Sequence, residues 1–335
     1  MPFDPAAGWT VGVEEELMLV DEQTYDLVPA ASQVLARLSG SEPQAPKREL
    51  FASMIETTTG VCGSAAEAAE RMRAERARVR ALAAEDGLLV LAAGSHPFAI
   101  PEDQPITDEP TYLEFVRFSG PVARRQGVCG LHVHVGMPDG DTALRALAAV
   151  LPWLPVLLAV SANSPFFRGQ ETGFLSTRAE VLLTLPRSGA PPELGSFAEW
   201  ESLMRRWVAA GAVRRFTSAW WDARINPELG TLELRIADQP TDVDTAARFV
   251  ATLYDLAVRA ARGELVAQSH KFDYPTNRFA AARFGPRAEL IWGDRLAAVA
   301  ELAAELGLEA TCEADRQLEW RRNLRALCAD LVARS

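Results

Sequence analysis

The stretch Trp9-Thr-Val-Gly-Val-Glu-Glu-Glu-Leu-Met-Leu-Val-Asp21 decides how this chain folds. Apart from its three glutamates it is apolar and partly β-branched, the composition of a buried β-strand. Side chains alternate along a strand, so Glu14 and Glu16 share one face, and Val11, Val13, Glu15, Leu17 and Leu19 share the other. Two carboxylates about 4 Å apart repel by about 4 kcal/mol at an effective dielectric of about 20. A strand that keeps such a pair has a cation at the site or one carboxyl protonated. The plain alternative is an edge strand with its glutamates in water.

Two later segments repeat the design. In Leu131-His-Val-His-Val135, His132 and His134 share a face; in Thr231-Leu-Glu-Leu-Arg-Ile236, Glu233 and Arg235 do. Joined in one sheet, the three polar faces make a single floor of carboxylates, imidazoles and a guanidinium. Taken singly, a His pair reads as structural and a Glu-x-Arg pair as a solvated ion pair. Their recurrence in a chain with four histidines favours a metal and substrate site. Lys47–Thr59 reads as one further strand. Its Glu49 and Glu56 are seven apart and of opposite parity, so both reach the floor only through a bulge, or if Glu56 lies past the strand end. Many carboxylates, few histidines and no cysteine pairing favour a hard cation, Mg²⁺ or Mn²⁺, over zinc. There is no Gly-x-x-x-x-Gly-Lys-Ser/Thr loop and no Gly-x-Gly-x-x-Gly at a strand–helix junction. A nucleotide would therefore be held through metals and through Arg168, Arg178, Arg224 and Arg235.

The 335 residues carry a formal charge of -11, which argues against a general nucleic-acid binder. Lys47 and Lys271 are the only lysines. Cys62, Cys129, Cys312 and Cys328 lack metal-type spacing and read as reduced thiols, pointing to a cytoplasmic location. Met1-Pro-Phe-Asp-Pro5 is not a signal peptide. The uncharged run Ala146–Phe167 contains three prolines and reads as a buried core helix, so no membrane partner is expected. Strands cluster early with helices between them, and helices dominate the end, predicted over 242–265, 288–306 and 313–333. Capping boxes at Ser64–Glu67 and Ser196–Glu199 open two earlier helices. The pattern predicts one α+β domain, residues 1–335, with a mainly antiparallel sheet. The irregular segment 161–176 is the expected mobile cover of the site.

The motifs together resemble the type 2 glutamate–cysteine ligase family, also called carboxylate-amine ligases. The matching stretches are Gly12-Val-Glu-Glu-Glu-Leu17, Glu49-Leu-Phe-Ala-Ser-Met-Ile-Glu-Thr57 and Gly130-Leu-His-Val-His-Val-Gly136. Ser161-Ala-Asn-Ser-Pro-Phe-Phe167 with Ser176-x-Arg178, Trp221-Asp-Ala-Arg224, Gly230-Thr-Leu-Glu-Leu-Arg235 and Asn277–Gly285 continue them. The resemblance implies a glutamine synthetase-like fold, a curved antiparallel sheet with helices on its outer face. It implies Glu14, Glu16, Glu49, Glu56, His132 and Glu233 as ligands of divalent metals, with Glu56 also a catalytic candidate. Arg235 and Arg178 would be catalytic, stabilising a transferring phosphoryl group. The implied activity is ATP-dependent joining of an acid to an amine through an acyl phosphate, in the manner of γ-glutamylcysteine formation. Its partners would be ATP, an amino acid and an amine, and the resemblance and apolar content suggest a homodimer. Glu49 and Glu56 are spaced differently from the glutamine synthetase pair, and the loop 225–228 is less basic than the family pattern. The same floor would also serve a ligase of another acid and amine, a metal-dependent hydrolase, a non-catalytic nucleotide sensor or a guanidino kinase.

Overall fold

A computed structural model describes residues 3–4, 8–38, 45–265 and 273–335, so part of the N-terminal pentapeptide lies outside the described residues. In chain order the strands are β1 (Val11–Asp21), β2 (Lys47–Arg48), β3 (Met54–Thr58), β4 (Leu88–Leu91), β5 (Leu131–Gly136), β6 (Phe166–Phe167), β7 (Gln170–Glu171), β8 (Ala223–Asn226), β9 (Thr231–Leu234), β10 (Glu289–Trp292) and β11 (Arg295–Ala298). Seven of them form one open sheet in the order β2-β3-β1-β5-β9-β8, with β4 also paired to β1. All of these pairings are antiparallel. The quoted stretch is the centre of the sheet, bonded to β3 along one edge and to β5 and β4 along the other.

The apolar face follows the expected parity. Val11 and Val13 join Leu131, Val133, Val135, Leu232 and Leu234 in one core with the helices Gly140–Val150, Leu154–Ser161 and Val243–Ala261. Each fully buried side chain of this kind contributes about 1.5–3 kcal/mol. Leu17, Leu19 and Ile55 pack on Val79 and Ala83 of the helix Ala65–Ala84. That helix starts at the expected capping box, Ser64 Oγ accepting from the Glu67 amide at 3.2 Å. On the polar face, Met18 and Val20 continue the parity of Glu14 and Glu16 but are covered by Leu327 and Leu331 of the C-terminal helix. The floor is thus closed at that end by a second apolar cluster.

Five expectations change, the last helix, expected over 313–333, being two, Glu313–Glu319 and Leu324–Arg334. The segment 47–59 is not one strand: β2 and β3 are antiparallel, with Lys47 opposite Glu56 and Arg48 opposite Ile55. The reversal, closed by Met54 N–H on the Phe51 carbonyl at 2.9 Å, brings Glu49 and Glu56 together without a bulge. The apolar run forms two helices broken by a 3-10 turn at Leu151–Trp153 that contains Pro152. Gly140–Ser161 is long and apolar enough to cross a bilayer, yet 78 % of its most apolar window is buried inside the fold. The helix expected at 288–306 begins instead as the β10–β11 hairpin. Segment 161–176 is anchored rather than loose: Asn163 N, Ser164 Oγ and Ser176 Oγ all donate to the buried Asp238 carboxylate at 2.9, 2.6 and 2.8 Å.

Glu15, on the apolar face, is fully buried and paired with the equally buried Arg76 of the helix Ala65–Ala84. Gln239 Nε2 also donates to it at 2.9 Å, and Arg76 Nη1 reaches the Thr241 carbonyl at 2.6 Å. Breaking such a pair leaves an uncompensated buried charge. In urea unfolding, Arg76→Met alone is expected to lose about 3–5 kcal/mol, and Arg76→Met combined with Glu15→Leu to lose less than Arg76→Met alone.

Candidate active site

The register builds the floor. Glu14 lies opposite Thr58 on β3 and His132 on β5, and Glu16 opposite Glu56. His134 faces Glu233 on β9, and Glu233 faces Arg224 on β8. The β8–β9 hairpin turns at Leu229 N–H on Asn226 Oδ1, 3.2 Å, and at Gly230, whose φ of +62° suits a residue without a Cβ. Glu14, Glu16, Lys47, Glu49, Glu56, His132, Arg178, Arg224 and Arg235 all line one cavity of about 570 Å³. Among the described residues, none from 161–176 lines it, so the expected cover is not there. The roof comes from the helix Pro110–Ser119, where Tyr112, Phe115 and Phe118 face Trp220 and the segment 182–187.

Two groups of side chains could each hold a cation. Oxygen or nitrogen atoms of Glu14, His134 and Glu233 lie within 4.8 Å of one another, and so do carboxylate oxygens of Glu16, Glu49 and Glu56. His134 Nε2 is 3.5 Å from Glu14 and 3.9 Å from Glu233, while its Nδ1 is 3.0 Å from Thr231 Oγ1. The Thr231 contact fixes the ring and leaves Nε2 buried without a hydrogen-bond partner among the described residues. His132 is a neighbour rather than a member of the first group. Its Nδ1 lies 3.5 Å from Glu14, and its Nε2 is also unpartnered. Oxygen-rich groups with one unpartnered imidazole nitrogen suit Mg²⁺ or Mn²⁺, the cations expected from the sequence.

The electrostatics of the two groups differ. Burial works against the Glu14 carboxylate, but His134 and His132 hold its pKa well below the ordinary range. Burial likewise opposes Glu233, and Arg224 and Arg235 outweigh it, keeping the carboxylate charged. Arg224 makes a two-pronged contact to Glu233 at 2.6 and 3.1 Å, and Arg235 Nη1 bonds the same carboxylate. His134 is pushed up because Glu233 and Glu14 overcome its burial; His132, buried and beside Arg235, falls to about 3. The second group is short of positive charge. Burial and the neighbouring Glu49 raise Glu16 to about 7, and burial with Glu14 raises Glu56 well above its ordinary value. Glu49 is raised by burial too. Lys47, 2.8 Å from Glu56, and Arg178 and Arg235 near Glu16 offset this only in part.

Arg178 is held where a side chain at residue 130 would stand. A Cβ on Gly130 would come within 2.1 Å of Arg178 Nη2, and the Gly130 amide donates to Glu16 at 2.6 Å. Arg178 itself donates to the carbonyls of Arg235 and Ile236 at 3.0 and 3.2 Å. Its helix, Thr177–Leu182, is tied by Arg278, which bonds the Ala179 carbonyl and the buried Asp222 at 2.8 Å each. The Asn277–Gly285 motif thus braces the site from behind. Arg168 is a correction to the expected nucleotide contacts: it pairs with Glu102 at 2.9 Å and does not line the cavity. Several cavity residues carried no expectation. Tyr112, Arg187, Arg214, Arg215 and Trp220 have no motif around them. Lys47 enters only through the β2–β3 reversal. Outside the cavity's lining are Glu233, an expected ligand, and His134, which had the right parity but was not carried over as one.

The ordinary Glu pKa of 4.5 against about 7 in the fold means that folding retains a proton on Glu16 that the unfolded chain has lost. Stability from this group is therefore complete below about 4.5 and is lost as pH rises through 7. In EDTA, the unfolding free energy of the wild type minus that of Glu16→Gln is expected to fall across this window. Urea titrations at successive pH values check it, and a flat difference contradicts the shift.

Comparisons with known proteins bear on the family and the fold. The sequence model of glutamate–cysteine ligase family 2 matches residues 10–332. A protein of Rubrobacter xylanophilus, named for an inferred glutamate–cysteine ligase 2-3 activity, is 39% identical over 344 aligned positions, covering 98% of this chain and 94% of the relative. One of Cupriavidus metallidurans, named in the same way, is 33% identical and covers 98% and 90%. Among solved structures, a bifunctional glutathione synthetase from Pasteurella multocida matches 97% of this chain and 49% of its own, with a TM-score of 0.65 and 13% identity. A glutamate–cysteine ligase from Francisella tularensis, solved with AMP, matches 97% and 87%, with a TM-score of 0.60 and 12% identity. At these identities the structures speak for the fold alone, helices packed on an open antiparallel sheet. With its family match running almost end to end, the chain belongs to glutamate–cysteine ligase family 2.

Proposed function

We propose that the protein is an ATP-dependent carboxylate-amine ligase of the glutamate–cysteine type. The observation that carries this reading is the pair of oxygen-rich groups, each able to hold a cation, side by side on one sheet, with Arg178, Arg224 and Arg235 among the arginines of the adjoining cavity. The family name and the names of the relatives support the choice of reaction. Glu14, His134 and Glu233 would hold one divalent ion, and Glu16, Glu49 and Glu56 another, with His132 in reach. Such ions, when bound, neutralise phosphate oxygens and the charge that develops during phosphoryl transfer.

The chain's own residues do the rest. The substrate carboxylate attacks the γ-phosphorus of ATP and ADP leaves; the amine then attacks the acyl carbon and inorganic phosphate leaves, giving the amide. Arg235 stays charged because Glu233 more than offsets its burial, and Arg178 is locked by backbone carbonyls, so both present fixed positive charge to the phosphoryl group. Phe115, Phe118 and Trp220 keep water from the activated acyl group. We place the enzyme in the cytoplasm, as one domain over 1–335 working as a homodimer.

ADP release across a matrix of amino acids with Mg²⁺ or Mn²⁺ tests this. It is expected to need both an acid and an amine; release that ignores the amine would indicate a hydrolase instead. Glu14→Gln and His134→Ala are each expected to lower it about a hundredfold with circular dichroism unchanged. Arg168→Ala, outside the cavity, is expected to leave it as it is.

A further inference from the structure

We infer that Arg187 is the anchor for the non-reacting carboxylate of an amino-acid substrate. Six arginines line the cavity: Arg178, Arg187, Arg214, Arg215, Arg224 and Arg235. Five are already engaged. Arg224 and Arg235 hold Glu233, Arg214 pairs with Glu114, Arg215 with Glu228 at 2.9 Å, and Arg178 with two carbonyls. Arg187 has no hydrogen bond or ion pair among the described residues, although its Nε and Nη2 are both shut off from solvent. Burial pulls its pKa below the ordinary arginine value and no nearby acid pulls it back. A guanidinium in this condition is costly unless something else supplies the acceptor.

The backbone holds it in place at a further cost. Arg187 has a φ of +60°, a left-handed conformation that side chains with a Cβ seldom adopt. On its C-terminal side Ser188 Oγ donates to the Leu183 and Leu185 carbonyls at 3.2 and 2.8 Å, and the Gly189 carbonyl accepts from Asp222 N at 2.8 Å. The guanidinium lies 5.9 Å from the Trp207 ring centroid. The loop therefore presents a fixed fork of donors, which suits a two-oxygen anion taken in the plane. Its neighbours on the cavity wall are Leu182, Leu185 and Pro186, with none of the floor's metal-type carboxylates beside it in sequence. A singly charged carboxylate fits a single unpaired guanidinium there, while nucleotide phosphates call for the cation sites across the floor. Both an acid such as glutamate and an amine such as cysteine carry a spare carboxylate. The choice of an amino acid as ligand rests on the ligase reading above.

The test is calorimetric binding of glutamate against 4-aminobutyrate, and of cysteine against cysteamine, each pair differing by that carboxylate. In the wild type one amino acid is expected to bind about tenfold to a hundredfold more tightly than its decarboxylated partner. Arg187→Met closes that gap with ADP binding unchanged, and Arg187→Lys keeps part of it; the pair that collapses tells acid from amine. Should Arg187→Met unfold, Arg187→Gln makes the same comparison. Overturning results are no gap in either pair, a gap that survives in the neutral variant, or an equal loss for ADP, which would make Arg187 a phosphate contact. A wild type that shows the gap but releases no ADP would remove the ligase reading and leave Arg187 in its role.

Discussion

Repulsion between carboxylates on the polar face of β1 governs this structure. Glu14 and Glu16 stand half-buried at a cavity with Glu49 and Glu56, Glu233 is fully buried close to Glu14, and no arrangement of apolar side chains could neutralise them. Two different solutions lie side by side. Around Glu233 the fold brings its own cations, Arg224 and Arg235, and the carboxylate stays ionised. Around Glu16, Glu49 and Glu56 the cations it brings, Arg178 and Arg235 near Glu16 and Lys47 on Glu56, do not outweigh burial, and the carboxyls rise toward protonation. The protein's own arginines keep Glu233 charged in the first group, while the second keeps protons that a bound cation would displace.

Positioning such charges needs rigidity behind them. Arg178 is seated in the space beside Gly130, with Asp238 next to it gathering three donors from the segment 161–176. Asp222 with Arg278 and Tyr274 locks the helix that carries Arg178. These buried polar hubs lie outside the reacting volume, yet a buried acid with every acceptor used has one low-energy arrangement. The segment that looked like a cover is part of this bracing, and the roof belongs to helix Pro110–Ser119.

Period-two patterning was enough to foresee the central strands, the floor and the antiparallel α+β class. Glu14 with Glu16, His132 with His134 and Glu233 with Arg235 are pairs within a single strand, so strand parity alone predicts that each shares a face. What parity does not carry is a chain reversal lacking Gly or Pro. Phe-Ala-Ser at 51–53 gives no turn signal, so 47–59 read as one strand and the meeting of Glu49 with Glu56 was hidden. Arg187 was invisible for a related reason: its significance lies in the partners it lacks, which only a folded chain displays. Arg168 misled because nothing near it in sequence shows its partner, Glu102, which lies 66 residues away and takes it.

The β2–β3 reversal has an evolutionary corollary. Glu49 and Glu56 belong to one chemical group yet sit on opposite arms of a tight bend whose length fixes their phase. Adding or deleting one residue there would conserve every acidic letter and still rotate one carboxylate out of the cluster. In this lineage, loss of the proposed second cation site can therefore arise from an indel that no tally of active-site identities would detect.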